Sequence, residues 1–295
     1  MTQYTKILGA VRSFFAQAGF REVATPPVTA APIPERYIDA VPCGDAYFVT
    51  SPEVHLKRLL ANGAGNIFQI ATCCRAGEQG RWHHPEFTML EWYRVNAGYM
   101  DLVADACGLL AAAADAVKAP EPLVYGRHAV ALRQACELLR VDDACARWAG
   151  WTLEDSPDAA RFDQTMVESI EPHLGLHAPT VLYDYPACFC PMARRAPANP
   201  ARAERLEIYI AGVELANGCT EQTDADEQAR RLNEERDARR RAGKDPYPPP
   251  NEFIATVRRL PPCAGMALGL DRLVMLLTNA DHIADVLPRA PRERS

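Results

Sequence analysis

The chain has 295 residues, of which 48% are hydrophobic and 24% charged, the balance of a folded protein with a sizeable core rather than of a disordered one. A formal net charge of −6 gives no support to a broad cationic surface for nucleic-acid backbones. No window approaches the roughly eighteen apolar residues of a membrane span and no signal-type apolar core opens the chain, so a cytoplasmic enzyme or binding protein is the default expectation.

In chain order, Ile7, Leu8, Val11, Phe14 and Phe15 recur at helical spacing, with Gly19 placed to stop the helix. "FREVATPPV" reads as extended because Pro26 and Pro27 exclude helix. A strand at "AYFVT" leads to "SPEVHLKRLLANG", where Ser51 is the expected cap, Pro52 the first helical residue, Glu53 a carboxylate at the positive end of the dipole, and Gly63 the terminator. "NIFQIATCC" and "PEFTMLEWYR" form a strand pair around the polar loop "RAGEQGRWHH".

From about Met100 to Leu176 the pattern is mainly helical, including "VALRQACELLR"; "TVLYDYPACF" and "RLEIYIAGVELANG" then bring strands back. "TDADEQARRLNEERDARRRAGK" reads as a polar helix whose basic end, Arg239, Arg240, Arg241 and Lys244, is expected to be solvated. "CAGMALGLDRLVMLL" is a small-residue strand and glycine turn feeding a helix that starts near Asp271.

Ten cysteines are scattered without a C-x-x-C pair, so small apolar roles are favoured over a metal site or disulfides. His83 and His84 are adjacent and point apart, with no third ligand nearby, which argues against a metal there.

Chemistry concentrates in the strands. Alternation puts Phe87, Met89, Glu91 and Tyr93 on one face, so Glu91 needs a partner among apolar neighbours. Glu207 and Glu214 bracket another apolar run, with Asn217 and Glu221 close behind. A divalent ion together with an amine substrate would supply the counter-charge for these four carboxylates. Arg75 after a strand and Arg272 at a helix start suit phosphate oxygens. Together these residues suit a nucleotide.

The first helix with "EVATPP" resembles motif 1 of class II aminoacyl-tRNA synthetases, "CRAGEQGRWHHPEFTMLEWYR" resembles motif 2 and "GMALGLDRLVMLL" motif 3, and "TSPEVHLKRLL" and "GVELANGCTEQTDADEQ" resemble the lysine-site segments of the lysyl branch. The resemblance covers nearly the whole chain. It implies an α+β fold, an antiparallel sheet flanked by helices, in one catalytic domain over 1–295 with a mainly helical insertion at about 100–176.

Because motif 1 begins almost at Met1, no anticodon-binding domain and no tRNA are expected. The chain is therefore similar to the stand-alone paralogues that activate lysine or (R)-β-lysine with ATP and Mg2+ and attach it to a lysine side chain of elongation factor P. A homodimer is implied.

By the same resemblance, Ser51, Pro52, Glu53, Glu91, Tyr93, Asn217, Glu221 and Ala267 form the amino-acid site, with Glu221 on the distal amine. Arg75 and Arg272 are the catalytic pair on the α- and γ-phosphates. Gly77, Glu78, His84, Glu214, Leu215 and Gly269 complete the ATP site, and Glu207 and Glu214 hold magnesium.

The chain departs from the family's Phe-Arg-x-Glu with Cys74 and Gly77, the carboxylate coming one place later at Glu78, and His84 stands where asparagine is usual. Two other readings of the motifs stay open, a synthetase-like regulatory or binding module and an adenylating ligase with another acceptor.

Overall fold

Ile7, Val11 and Phe15 form the buried face of α1 (Gln3–Gln17), which Thr2 caps by accepting from the Thr5 amide. The structure is a computed structural model and is described over residues 2–287. β1 (Arg21–Glu22) follows, then a small sheet of β2 (Val28–Thr29), β3 (Pro42–Cys43) and β4 (Ala46–Phe48) in the order β2-β4-β3. α2 (Glu53–Ala61) has Pro52 as its N-cap, one residue later than the sequence pattern suggests. Ser51 is free for another task because a proline with φ −72° and ψ 1° already turns the chain into the helix.

β5 (Ile67–Cys74) and β6 (Glu86–Val95) form the expected antiparallel pair, and α3 (Asp101–Val117) follows. The expected helical stretch then breaks. β7 (Leu123–Tyr125) and β8 (His128–Val130) make a hairpin, and β9 (Glu137–Arg140) lies parallel to β10 (Thr180–Pro186). "ELLR" has helix-forming residues, but backbone pairing at a sheet edge outweighs so weak a local preference. Helix resumes in α4 (Val141–Ala144), α5 (Ala159–Thr165) and the short turns that follow each of them.

β11 (Arg195–Ala196) pairs with β12 (Asn199–Ile210), which turns through Ala211 and Gly212, both at positive φ, into β13 (Val213–Thr220). The segment read as one strand is thus a hairpin, since two consecutive left-handed residues reverse the chain. α6 (Ala225–Arg241), α7 (Asn251–Val257), β14 (Cys263–Gly269) and α8 (Leu270–Thr278) complete the described elements.

The main sheet runs β1-β5-β6-β14-β13-β12-β10-β9, antiparallel in its middle with parallel pairs at both edges. Alternation gives it two unlike faces. Phe68, Leu90, Trp92, Met266 and Leu206 pack with α1, α3 and α8 into the principal core, where the Phe15 ring stacks on Phe68 at 4.7 Å. Truncating such a buried aromatic to alanine costs ~3–5 kcal/mol. The opposite face carries the polar residues.

Candidate active site

Paired strand residues share a face, so the register of the sheet builds the floor of the site. Glu91 lies opposite Ala267, Ala267 opposite Asn217, and Asn217 opposite Glu207, one row across four strands. The neighbouring row runs Tyr93, Gly265, Cys219, Arg205. With Ala267 and Gly265 in the middle, the floor is low between acidic walls, and a cavity of about 430 Å³ opens above it. That volume suits a small ligand or cofactor.

A bulge decides which face Glu214 uses. Ile208 pairs with Ala216 and Tyr209 with Glu214, leaving Leu215 as the extra residue. Without it Glu214 and Asn217, three apart, would face opposite ways; with it both line the cavity while Leu215 packs in the core.

Glu91 forms one wall. It is 2% exposed and accepts from Ser51 Oγ at 2.5 Å and from the Tyr93 hydroxyl at 2.6 Å, while Ser51 Oγ accepts from the Glu53 amide. Burial, and then the charge of Glu53, push the Glu91 carboxyl up to about 8. Behind the cavity wall Lys57 Nζ lies 2.6 Å from Glu53 Oε1 and 2.5 Å from Glu221 Oε2. Burial opposes the Lys57 charge, but Glu221 and Glu53 outweigh it and hold its pKa well above the usual lysine range. One ammonium serves two carboxylates, and Glu221, buried beside Glu53, is pushed up to about 7 in spite of the pull of Lys57.

At the other end Arg272 is braced from three directions. It donates to the Glu214 carbonyl at 2.7 Å, to the Trp82 carbonyl at 3.1 Å and to His83 Nε2 at 2.8 Å. Arginine has no acceptor, so His83 must be neutral at Nε2, in line with a pKa lowered by burial and by Arg272. Arg75 donates to the Thr50 carbonyl at 3.2 Å, faces Glu78 Oε1 at 3.4 Å, and lies over the Phe87 ring. Gly269 caps α8 beside the cavity, where a Cβ would stand 3.3 Å from Arg272 Cδ.

Most of the expected site residues converge here, with two exceptions. Gly77 does not line the cavity; its φ of +76° makes the turn from which Glu78 reaches in. Pro52 shapes the start of α2 and stays outside the wall.

Glu207 also differs from a free magnesium ligand. Its oxygens accept from Tyr185, Tyr209, Arg205 and Asn217 at 2.5 to 3.1 Å, so a metal would displace a donor. Glu214 is less committed, facing Arg272 at 3.4 Å. Burial, and then the charges of Glu207 and Glu214, push nearby Glu171 up to about 7, a local excess of negative charge that a divalent cation would relieve. Glu214 thus offers hard oxygens to magnesium as it stands, and Glu207 would join it by giving up one of its donors. No three His, Cys, Asp or Glu among the described residues form a ready metal cage, so phosphate oxygens and water would complete the shell.

The sequence pattern did not single out Lys57, Arg205 or Glu35, and it gave His83 no role of its own within the loop 81–84 expected beside ATP. Lys57 follows Glu53 by one helical turn and Arg205 precedes Glu207 on the same strand face, so both carried a local signal. Glu35 carried none. It lines the cavity from a loop that Arg239 pins by donating to the carbonyls of Glu35 at 2.7 Å and Ile38 at 2.9 Å and to Asp39 at 2.8 Å. Arg239 is 1% exposed, so the expected solvated helix end is in part a buried clamp.

Residues 1–291 match the family model described as tRNA synthetases class II (D, K and N). The chain belongs to this class II synthetase family. Curated relatives of this class II synthetase include the elongation factor P--(R)-beta-lysine ligase of Pectobacterium carotovorum subsp. carotovorum (strain PC1), 40% identical over 95% of this chain and 91% of that protein. The proteins of the same name from Proteus mirabilis (strain HI4320) and Vibrio atlanticus (strain LGP32) are 38% and 35% identical, over 96% and 97% of this chain and 92% and 94% of theirs.

Proposed function

We propose that this protein activates lysine or (R)-β-lysine with ATP as an aminoacyl adenylate and transfers it to a lysine side chain of elongation factor P. The observation that carries the substrate class is a charge count. Glu53, Glu91 and Glu221 face one end of the cavity while Lys57, the ammonium that serves Glu53 and Glu221, lies behind the wall, so the two ammonium groups of a diamino acid would supply the missing counter-charge and draw Glu91 and Glu221, held up by burial, into their ionised forms. The names of the relatives supply the acceptor.

The carboxylate oxygen of the amino acid attacks the α-phosphorus in line, and the α–β bridge breaks to release pyrophosphate. The acceptor amine then attacks the carbonyl carbon, loses its proton and expels AMP. Arg75 neutralises the α-phosphate and Arg272 the γ-phosphate, each held by fixed carbonyl acceptors so that little reorganisation accompanies the reaction. Ser51 and Tyr93 orient Glu91, and Ala267 leaves space for the substrate backbone. Glu214 and Glu207 would hold magnesium, which supplies further charge neutralisation to the phosphates. No protein nucleophile is needed, and positioning carries the rate.

A homodimer in the cytoplasm fits this reading. No described helix is long and apolar enough to cross a membrane. Pyrophosphate exchange measured across α-lysine, both β-lysine enantiomers, ornithine and norleucine tests the first step, and the mass of elongation factor P after incubation tests the second. Exchange with no mass gain would point to a different acceptor, and amino-acid binding without exchange would point to a regulatory module.

A further inference from the structure

Lys57 has no part in the wall of the cavity, yet it touches Glu53 and Glu221, two of the carboxylates that line it. It is 1% exposed on α2, its Nζ within 2.6 Å of both Glu53 Oε1 and Glu221 Oε2, and the Phe253 ring of α7 covers its other side at 5.7 Å. The second oxygen of Glu221 faces the floor: a Cβ on Gly265 would stand 2.6 Å from Glu221 Oε1. Glu221 is therefore divided, one oxygen anchored behind the wall and one presented to the cavity. The other nearby cation, Arg205, is already committed to Glu207 at 2.6 Å.

We propose that Lys57 is a specificity-determining positioning residue: its ammonium anchors one oxygen of Glu221 behind the wall and holds the other toward the cavity, so that the pocket distinguishes a side chain ending in an ammonium from one ending in a methyl group. A buried carboxylate without a cation takes up a proton, and a neutral carboxyl no longer rejects the methyl analogue by leaving a charge unpaired. Removing Lys57 thus weakens discrimination, which loss of packing alone would not do. The inference rests on the diamino-acid reading above.

The experiment compares lysine with norleucine, which has the same carbon chain but lacks the distal ammonium, by pyrophosphate exchange in the full-length protein and in Lys57→Met. The ratio of kcat/KM for lysine over norleucine is expected to fall at least tenfold, through the KM for lysine, with the KM for ATP within about twofold of wild type. Lys57→Gln keeps a polar buried side chain and is expected to show the same loss, and ethylammonium added to Lys57→Ala is expected to restore part of the ratio. A wild type that activates neither lysine nor β-lysine overturns the substrate reading and this inference with it. A wild type that selects lysine by a ratio unchanged in Lys57→Met or Lys57→Gln overturns this inference alone.

Discussion

Arg272 Nη2 lies 2.8 Å from His83 Nε2, which joins α8 to the loop between β5 and β6 through one hydrogen bond. Only a neutral imidazole can accept that bond. His83→Ala is expected to raise the KM for ATP about tenfold, the loss of a hydrogen bond to a charged group of ~1.5 kcal/mol, and to leave the KM for the amino acid unchanged. Because the His83 pKa is lowered from its usual value, the ATP KM should be flat above pH 6.5 and rise only below that; steady-state kinetics across pH 5–8 checks both statements.

Glu91 couples substrate binding to pH. Its folded-state value of about 8 lies above that of an unfolded glutamate, so between the two the folded chain holds a proton the unfolded chain has lost, and stability falls as pH rises through that window. Glu91→Gln removes this contribution. Its unfolding free energy should decline less steeply than that of wild type from pH 5 to 8, by up to about 1 kcal/mol per pH unit, in denaturant titrations. The same variant is expected to abolish amino-acid activation, and the wild-type KM for lysine should fall from pH 6 to 8 as Glu91 and Glu221 ionise.

Gly265 is required by its neighbours rather than by its backbone angles. A Cβ there would collide with the Tyr93 ring and approach Glu221 Oε1 to 2.6 Å. Gly265→Ala should destabilise the fold by ~1–3 kcal/mol through overpacking and cut lysine activation at least tenfold, read by thermal melts and pyrophosphate exchange.

Arg239 ties α6 to the loop over the site. Arg239→Met leaves the Glu35 and Ile38 carbonyls without their donor and Asp39 with Lys244 as its remaining cation. A loss of about 3 kcal/mol is expected, with faster amide exchange across residues 33–41 by mass spectrometry.

His84 makes a local contact, its Nδ1 2.8 Å from the Glu86 carbonyl oxygen. An asparagine amide can donate the same bond. His84→Asn should therefore keep the ATP KM within about threefold of wild type, and complete loss of exchange activity would show a site built around the imidazole.

Much of the site was legible because short-range rules carry it. Alternation along "FTMLEWY" puts Glu91 and Tyr93 on one face, and the glycine turn before "DRLVMLL" puts Arg272 at a helix start, whatever packs around them. The helical reading of "VALRQACELLR" failed for the complementary reason, since its apolar spacing suits a helix and its place at the sheet edge is a long-range fact.

The sequence by itself determined which residues bear charge, which strand face each takes and the α+β character of the fold, because these depend on neighbours a few positions away. Only the tertiary structure decided the pairing of Lys57 with Glu221, the Leu215 bulge that brings Glu214 beside Asn217, and the burial of Arg239. Each of these depends on register between distant strands and helices, and the periodicity of a single segment is the same for every register it could adopt.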